Sequence, residues 1–280
     1  MSMHVVLVCH TELDFKGTWA LYDRVQPLVS QMLDRVADST GKRPRITYCG
    51  TAEFLGEKLD DAFAFVEGGD EVGVHSHLPG AHRPRHSYQG RYAYRTDTEG
   101  VLNQERVAGP LRELAVALGL PAPATHVSGM FTFGQSTIAV LERAGFGVDC
   151  SLLPGIGPTR HEASGDYVLA DNHRRSDPRP YRPSIEDPWM AGASRVMELP
   201  VSGSLGEGNL DGQLAALRAR LEDGAGVDVF QSYWHHFEFA KLGWTKGSLE
   251  EAEHFLTEAA RLKEVVFSTA TGAAAAFAKG

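Results

Sequence analysis

Residues 4–14, HVVLVCHTELD, pass from an unbroken β-branched apolar run straight into titratable side chains. A run with no polar alternation reads as a strand buried on both faces, the mark of a parallel sheet covered by helices. His10, Glu12 and Asp14 stand at its exit. In β/α folds the carboxyl ends of buried strands are where chemistry is placed.

Outward from this stretch the chain alternates strand and helix. Trp19 to Val36 carries apolar residues at helical spacing, with Pro27 expected to kink that helix or mark its first turn. Arg45 to Cys49 reads as a strand, Ala52 to Val66 as one helix ended by Gly68 and Gly69, and Glu71 to Val74 as a strand running into His75, Ser76 and His77. Leu78 to Gly100 has no period and is expected to be a long loop over the same face. Helices follow over Gln104 to Leu118 and Ser136 to Ala144, with strands near Thr125 to Ser128 and Val148 to Ser151. Leu153 to Ala193 is irregular; strands then fall at Val196 to Val201, Val227 to Tyr233 and Val265 to Phe267, with helices over Leu210 to Leu221 and Leu249 to Leu262 and a small alanine-rich one at the end. Such alternation predicts a parallel sheet with right-handed crossovers, closed here into an irregular (β/α)7 barrel. No repeat or linker divides the chain, so residues 1–280 are expected to form one domain.

Composition narrows the partners. At 42% hydrophobic and 22% charged, the chain can bury a large core without disulfides. A net charge of −9 argues against a phosphate-binding surface, so no nucleic acid is expected. Nor is a membrane, because no run approaches the roughly 18–20 apolar residues needed to span one. Cys9, Cys49 and Cys150 form no CxxC pair and read as small buried hydrophobes. With no signal-peptide pattern in MSMHVVLVCH, a cytoplasmic location is expected.

Four strand exits deliver metal-competent or titratable groups: His10 with Glu12, His75 with His77, Asp149, and His235 with His236. One such histidine is ordinarily a hydrogen-bonded core residue; four exits meeting at one mouth point to a site. His75 and His77 are two apart, so on an extended strand both imidazoles face the same side. Two imidazoles and the Glu12 carboxylate suit a divalent metal ion, zinc first, and leave open positions. An ion so placed lowers the pKa of bound water toward about 7, which suits hydrolysis of an amide or ester. Asp14 is read first as a helix cap.

These motifs resemble the NodB-like polysaccharide deacetylases along nearly the whole chain. HVVLVCHTELDF is similar to their first motif, EVGVHSHLPG to their second, GMFTFGQSTIAVLERAGFGVDCSL to their third, MELPVSG to a later segment, and SYWHHFEF to their last. The resemblance implies Glu12, His75 and His77 as metal ligands and His235 as general acid. It also shows departures. His10 stands where the family's Asp base is expected, Ser128 or Gly129 where its Arg is expected, and Pro79 where its second His is expected, leaving His77, or His82, as the remaining ligand.

A neutral His10 can take the carboxylate's place as base, since its reference pKa of about 6.5 suits proton transfer near neutrality. The resulting expectation is removal of an N-acetyl or other acyl group from an amino sugar or related small metabolite. A backbone N–H near Phe131 would face the oxyanion, and His235 would protonate the leaving amine. Asp14, His82, Phe131, Phe133, Asp149 and Trp234 are the candidate substrate-binding residues; Trp189 and Tyr88 join them as aromatic platforms, with core packing the ordinary alternative. Two rival readings are a catalytically degenerate carbohydrate-binding barrel and an amidohydrolase-like C–N hydrolase with Asp149 as a late ligand.

Overall fold

A computed structural model describes residues 2–14, 16–76, 98–155, 174–206, 208–224, 226–241 and 246–279. Its strands are Ser2–Thr11 (β1), Ile46–Gly50 (β2), Glu71–Ser76 (β3), Thr125–Ser128 (β4), Val148–Asp149 (β5), Met197–Glu198 (β6), Val201–Ser204 (β7), Val227–His235 (β8) and Val265–Ser268 (β9). Every pairing between these strands is parallel, in the order β6-β5-β4-β3-β2-β1-β8-β7. The two ends of that path, β6 and β7, are separated in the chain only by Leu199 and Pro200. One bent segment therefore joins both sheet edges and closes the sheet into a seven-position β/α barrel.

The last strand departs from the ring. β9 pairs with Met3 to Val6 of β1, beside the point where β2 takes over from Leu7 onward. The helix that follows it, Ala270–Phe277 (α8), packs Ala270, Ala273 and Ala274 with Val6, Val8, Cys49 and Val127. Its side chains are small enough to plug the amino-terminal end of the barrel. The opposite mouth is left for a site.

Around the ring lie Ala20–Thr40 (α1), Ala52–Glu57 (α2), Leu59–Glu67 (α3), Thr98–Ala117 (α4), Thr137–Ala144 (α5), Leu210–Glu222 (α6) and Leu249–Arg261 (α7). The period of two along β1 divides the core. Val5, Leu7 and Cys9 pack outward with Val25, Val29, Met32 and Leu33 of α1, while Val6 and Val8 point inward. His10 continues the inward parity and is buried at the carboxyl end of β1.

Pro27 lies inside α1 rather than in its first turn, which leaves the kink as the surviving alternative. One helix expectation needs correction. The helix expected over Ala52 to Val66 breaks at Lys58, where φ of −124° leaves the helical basin and the ammonium reaches Asp23 of α1 at 2.5 Å. The three cysteines are free and buried, as read. No helix among the described residues is long and apolar enough to cross a membrane.

Candidate functional site

The mouth is built from the ends of β1, β3 and β8. Residues at matching parity on adjacent parallel strands stand side by side, and the register pairs His10 with His235. The His10 ring stacks on His75 at 4.7 Å between centroids and on Tyr233 at 5.4 Å, and meets His235 edge-on at 4.7 Å. Its Nδ1 lies 3.2 Å from His235 Nε2. Glu12, the next inward position beyond His10, places Oε1 3.5 Å from His235 Nε2 and Oε2 3.9 Å from His75 Nε2.

Hydrogen bonds set which ring nitrogen carries each proton. His75 Nδ1–H donates to the Val127 carbonyl at 3.2 Å, so Nε2 is the lone-pair nitrogen and it faces the Glu12 carboxylate. His235 opens a short 3-10 turn over His236–Phe239 as half of a capping box. Its imidazole accepts the Glu238 backbone N–H, and its own backbone N–H donates to Glu238 Oε2 at 2.7 Å. The nitrogen turned to Glu238 is Nδ1, which also lies 3.3 Å from Glu238 Oε1. The proton of the neutral ring thus sits on Nε2, directed at His10 and Glu12. Should a second proton arrive, the Glu238 carboxylate stands beside the imidazolium.

Phe131 closes one side, with its ring 5.4 Å from His10 and 4.7 Å from Tyr233. Its φ is +53°, a left-handed conformation costly for a bulky residue. Strain held against a histidine cluster is a feature functional sites retain.

The donor set fits a divalent cation in part. For a tetrahedral ion bonded at about 2.0–2.1 Å, neighbouring ligand atoms stand roughly 3.3 Å apart. The Glu12 separations from His75 and His235 approach that spacing, and a lone-pair nitrogen facing a carboxylate is an arrangement a cation stabilises. Among the described residues, however, no three His, Cys, Asp or Glu side chains form a complete cage. The expected third ligand, His77, its alternative His82, and Tyr88 all lie outside the described residues.

Several expected substrate-binding residues are placed elsewhere. Trp234 points outward at 2% exposure and belongs to the core shared with α1 and α7, because it is one residue out of phase with Tyr233 and His235. Phe133 is fully buried against Trp189, under the helices rather than at the mouth. Asp149 is fully buried and bonded to His126 and Ser151, so the late ligand required by the amidohydrolase-like reading is spent. Asp14 holds its own turn, accepting from the backbone N–H groups of Lys16 and Thr18 and from the Thr18 hydroxyl. Phe131 alone among the described members of that set touches the histidines. The sequence reading missed Tyr233 and Glu238, although both carry a signal: Tyr233 shares the parity of His235, and Glu238 stands three residues after it, the spacing of a capping box.

No protein-family model and no curated protein matches the chain. Solved structures do. One designated a polysaccharide deacetylase from Mycobacterium smegmatis shares 17% identity, covering 98% of this chain and 91% of its own, with a TM-score of 0.56. Another so designated, from Pseudomonas aeruginosa PAO1, shares 13% over 99% and 90%, with a TM-score of 0.61. A third, designated a glycoside hydrolase/deacetylase from Parabacteroides distasonis, shares 12% over 99% and 71%, with a TM-score of 0.63. The chain has the NodB-like β/α barrel fold of these structures. Identity this low speaks for the fold, and function must be argued from the site.

Proposed function

We propose that this chain is a metal-dependent hydrolase that removes an N-acetyl or other acyl group from an amino sugar or a related small metabolite. The observation that carries the reading is the meeting of His10, Glu12, His75 and His235 from three strand ends at one mouth, linked by contacts of 3.2 Å (His10–His235), 3.5 Å (Glu12–His235) and 3.9 Å (Glu12–His75). That this barrel is shared with structures designated deacetylases supports it.

Glu12, His75 and His77 would hold the ion, which when bound polarises an acyl oxygen and acidifies a water. The remaining steps belong to side chains of the chain itself. His10 takes the proton of the attacking water at Nδ1, the lone-pair nitrogen that faces His235 Nε2–H until the water enters between them, in the role of general base. His235, doubly protonated with the Glu238 carboxylate beside its imidazolium, gives its Nε2 proton to the departing amine and is left as the neutral ring. Tyr233 and Phe131 confine the His10 ring and exclude bulk water from it, which strengthens each electrostatic contact.

The test is an acetate-release screen over N-acetylated sugars and nucleotide sugars with metal-loaded protein. Release by the wild type and its loss in His10→Asn support the reading, and absence of release across the panel counts against it. His10 in place of the family's Asp base, and Ser128 or Gly129 in place of its Arg, favour one other reading, a barrel that binds carbohydrate without cleaving it. Metal-free protein that binds these sugars and releases no acetate would select it.

A further inference from the structure

Behind the mouth, on the helix-facing side of the sheet, four polar side chains cross four adjacent strands. Ser76 Oγ lies 2.8 Å from His126 Nε2, and His126 Nδ1 lies 2.8 Å from Asp149 Oδ1. Asp149 pairs in register with Glu198 on β6. All four side chains have zero exposure. Ser151 Oγ donates to the same Asp149 oxygen at 2.7 Å and accepts the Ser128 backbone N–H at 2.8 Å. The ring of Phe146 seals His126 from the helix layer.

The chain of bonds has a direction. A carboxylate accepts only, so His126 donates from Nδ1 and must accept at Nε2, which makes the Ser76 hydroxyl the donor. Burial, with Asp149 beside it, pushes the Glu198 carboxyl well above its ordinary range. The surroundings are otherwise apolar: Val74, Leu141, Phe146 and Val196 share this layer. Four polar groups here add little stability over apolar packing, since their desolvation offsets their pairing.

Their placement supplies the alternative. The contact that orients His75 is its Nδ1–H bond to the Val127 carbonyl. Ser76 follows His75 directly, while His126 and Ser128 flank Val127. Both sides of the orienting contact are therefore gripped from behind.

We infer that Ser76, His126, Asp149 and Glu198 act as a positioning relay that fixes the end of β3 against β4 and so sets the orientation of His75 in the site. The inference rests on the proposed role of His75, and no relay residue touches substrate. Removing a link loosens the imidazole of His75 while the barrel stays folded.

The test reads His75 itself, without metal, by nitrogen-15 spectra of histidine-labelled full-length chain. In Ser76→Ala the His75 Nδ1–H exchanges with solvent about fivefold to tenfold faster, the factor one lost hydrogen bond is worth, and its ring resonances move. Ser76→Thr, which keeps a hydroxyl, restores the wild-type spectrum. In Asp149→Asn the charge assistance to the His126 bond is lost, and the His75 ring resonances shift with it. Should Ser76→Ala fail to fold, Asp149→Asn decides by the same criterion. A His75 signal identical to wild type, whether or not the melting point falls, overturns the relay. Because no metal enters this measurement, a chain that binds none would defeat the proposed hydrolase while leaving the relay to be judged alone.

Discussion

His10 Nδ1 and His235 Nε2 lie 3.2 Å apart, brought together by two adjacent parallel strands whose register pairs the two residues directly. The proposed base and acid thus share one hydrogen bond across the site. Glu238, holding the far side of the His235 ring, decides how easily that ring carries a second proton.

Replacing Glu238 with Gln removes the carboxylate beside the His235 imidazolium and keeps the side-chain shape. The acid then releases its proton more readily. The alkaline limb of the pH–activity profile should move toward lower pH, with kcat falling more than KM rises; a superimposable profile would deny His235 the role of acid.

His10→Asn should separate base from ligand. Positioned general bases contribute roughly 10²- to 10⁴-fold, so kcat should fall by about that factor while metal content stays at the wild-type level. Metal lost together with activity would make His10 a ligand instead.

Trp234 offers a test of packing against recognition. As a fully buried core residue, Trp234→Ala should destabilise the fold by about 3–5 kcal/mol, whereas Trp234→Phe should cost much less and leave KM unchanged. Chemical denaturation and steady-state kinetics check both; a KM raised severalfold in Trp234→Phe would return it to the substrate site.

Two buried groups tilt stability in opposite directions with pH. Burial, and then the neighbouring His235, lowers the pKa of His236 to about 3. Between the unfolded value of 6.5 and that point the unfolded chain takes up a proton the folded one refuses, so stability falls as pH drops, by on the order of 5 kcal/mol in all. Glu198 is raised well above 4.5, so above that value the unfolded chain releases a proton the folded one keeps, and stability falls as pH rises. In Glu198→Gln the alkaline decline should flatten and stability at pH 8 should rise. Unfolding free energies measured from pH 4 to 8 test this, and an unchanged slope would show Glu198 to be ionised in the fold.

Much of this was legible in the sequence. The unbroken apolar run of β1 announced a parallel sheet, and its exit set His10 and Glu12 beside His75, the first histidine of the HSH that begins within β3. The period-two rule that placed His10 inward would also have excluded Trp234 and Asp149, since Trp234 alternates with Tyr233 and His235, and Asp149 with Val148 and Cys150. Aromatic or acidic character points to a site at these two positions, and phase points to the helix-facing side. The relay was hidden for another reason: Ser76, His126, Asp149 and Glu198 come together only across strand register, which no local pattern reveals. Phe133 was misplaced because the turn after β4 carries Phe131 to the mouth and buries Phe133 beneath the helices.

Glu12 and His75, with His77, are proposed to hold a divalent ion at the barrel mouth. Elemental analysis of dialysed wild type and His75→Ala, paired with acetate release by the same samples, tests this most directly. About one metal per wild-type chain is expected, with metal and turnover both lost in the variant. Wild type free of metal yet fully active, or His75→Ala retaining both, would contradict it.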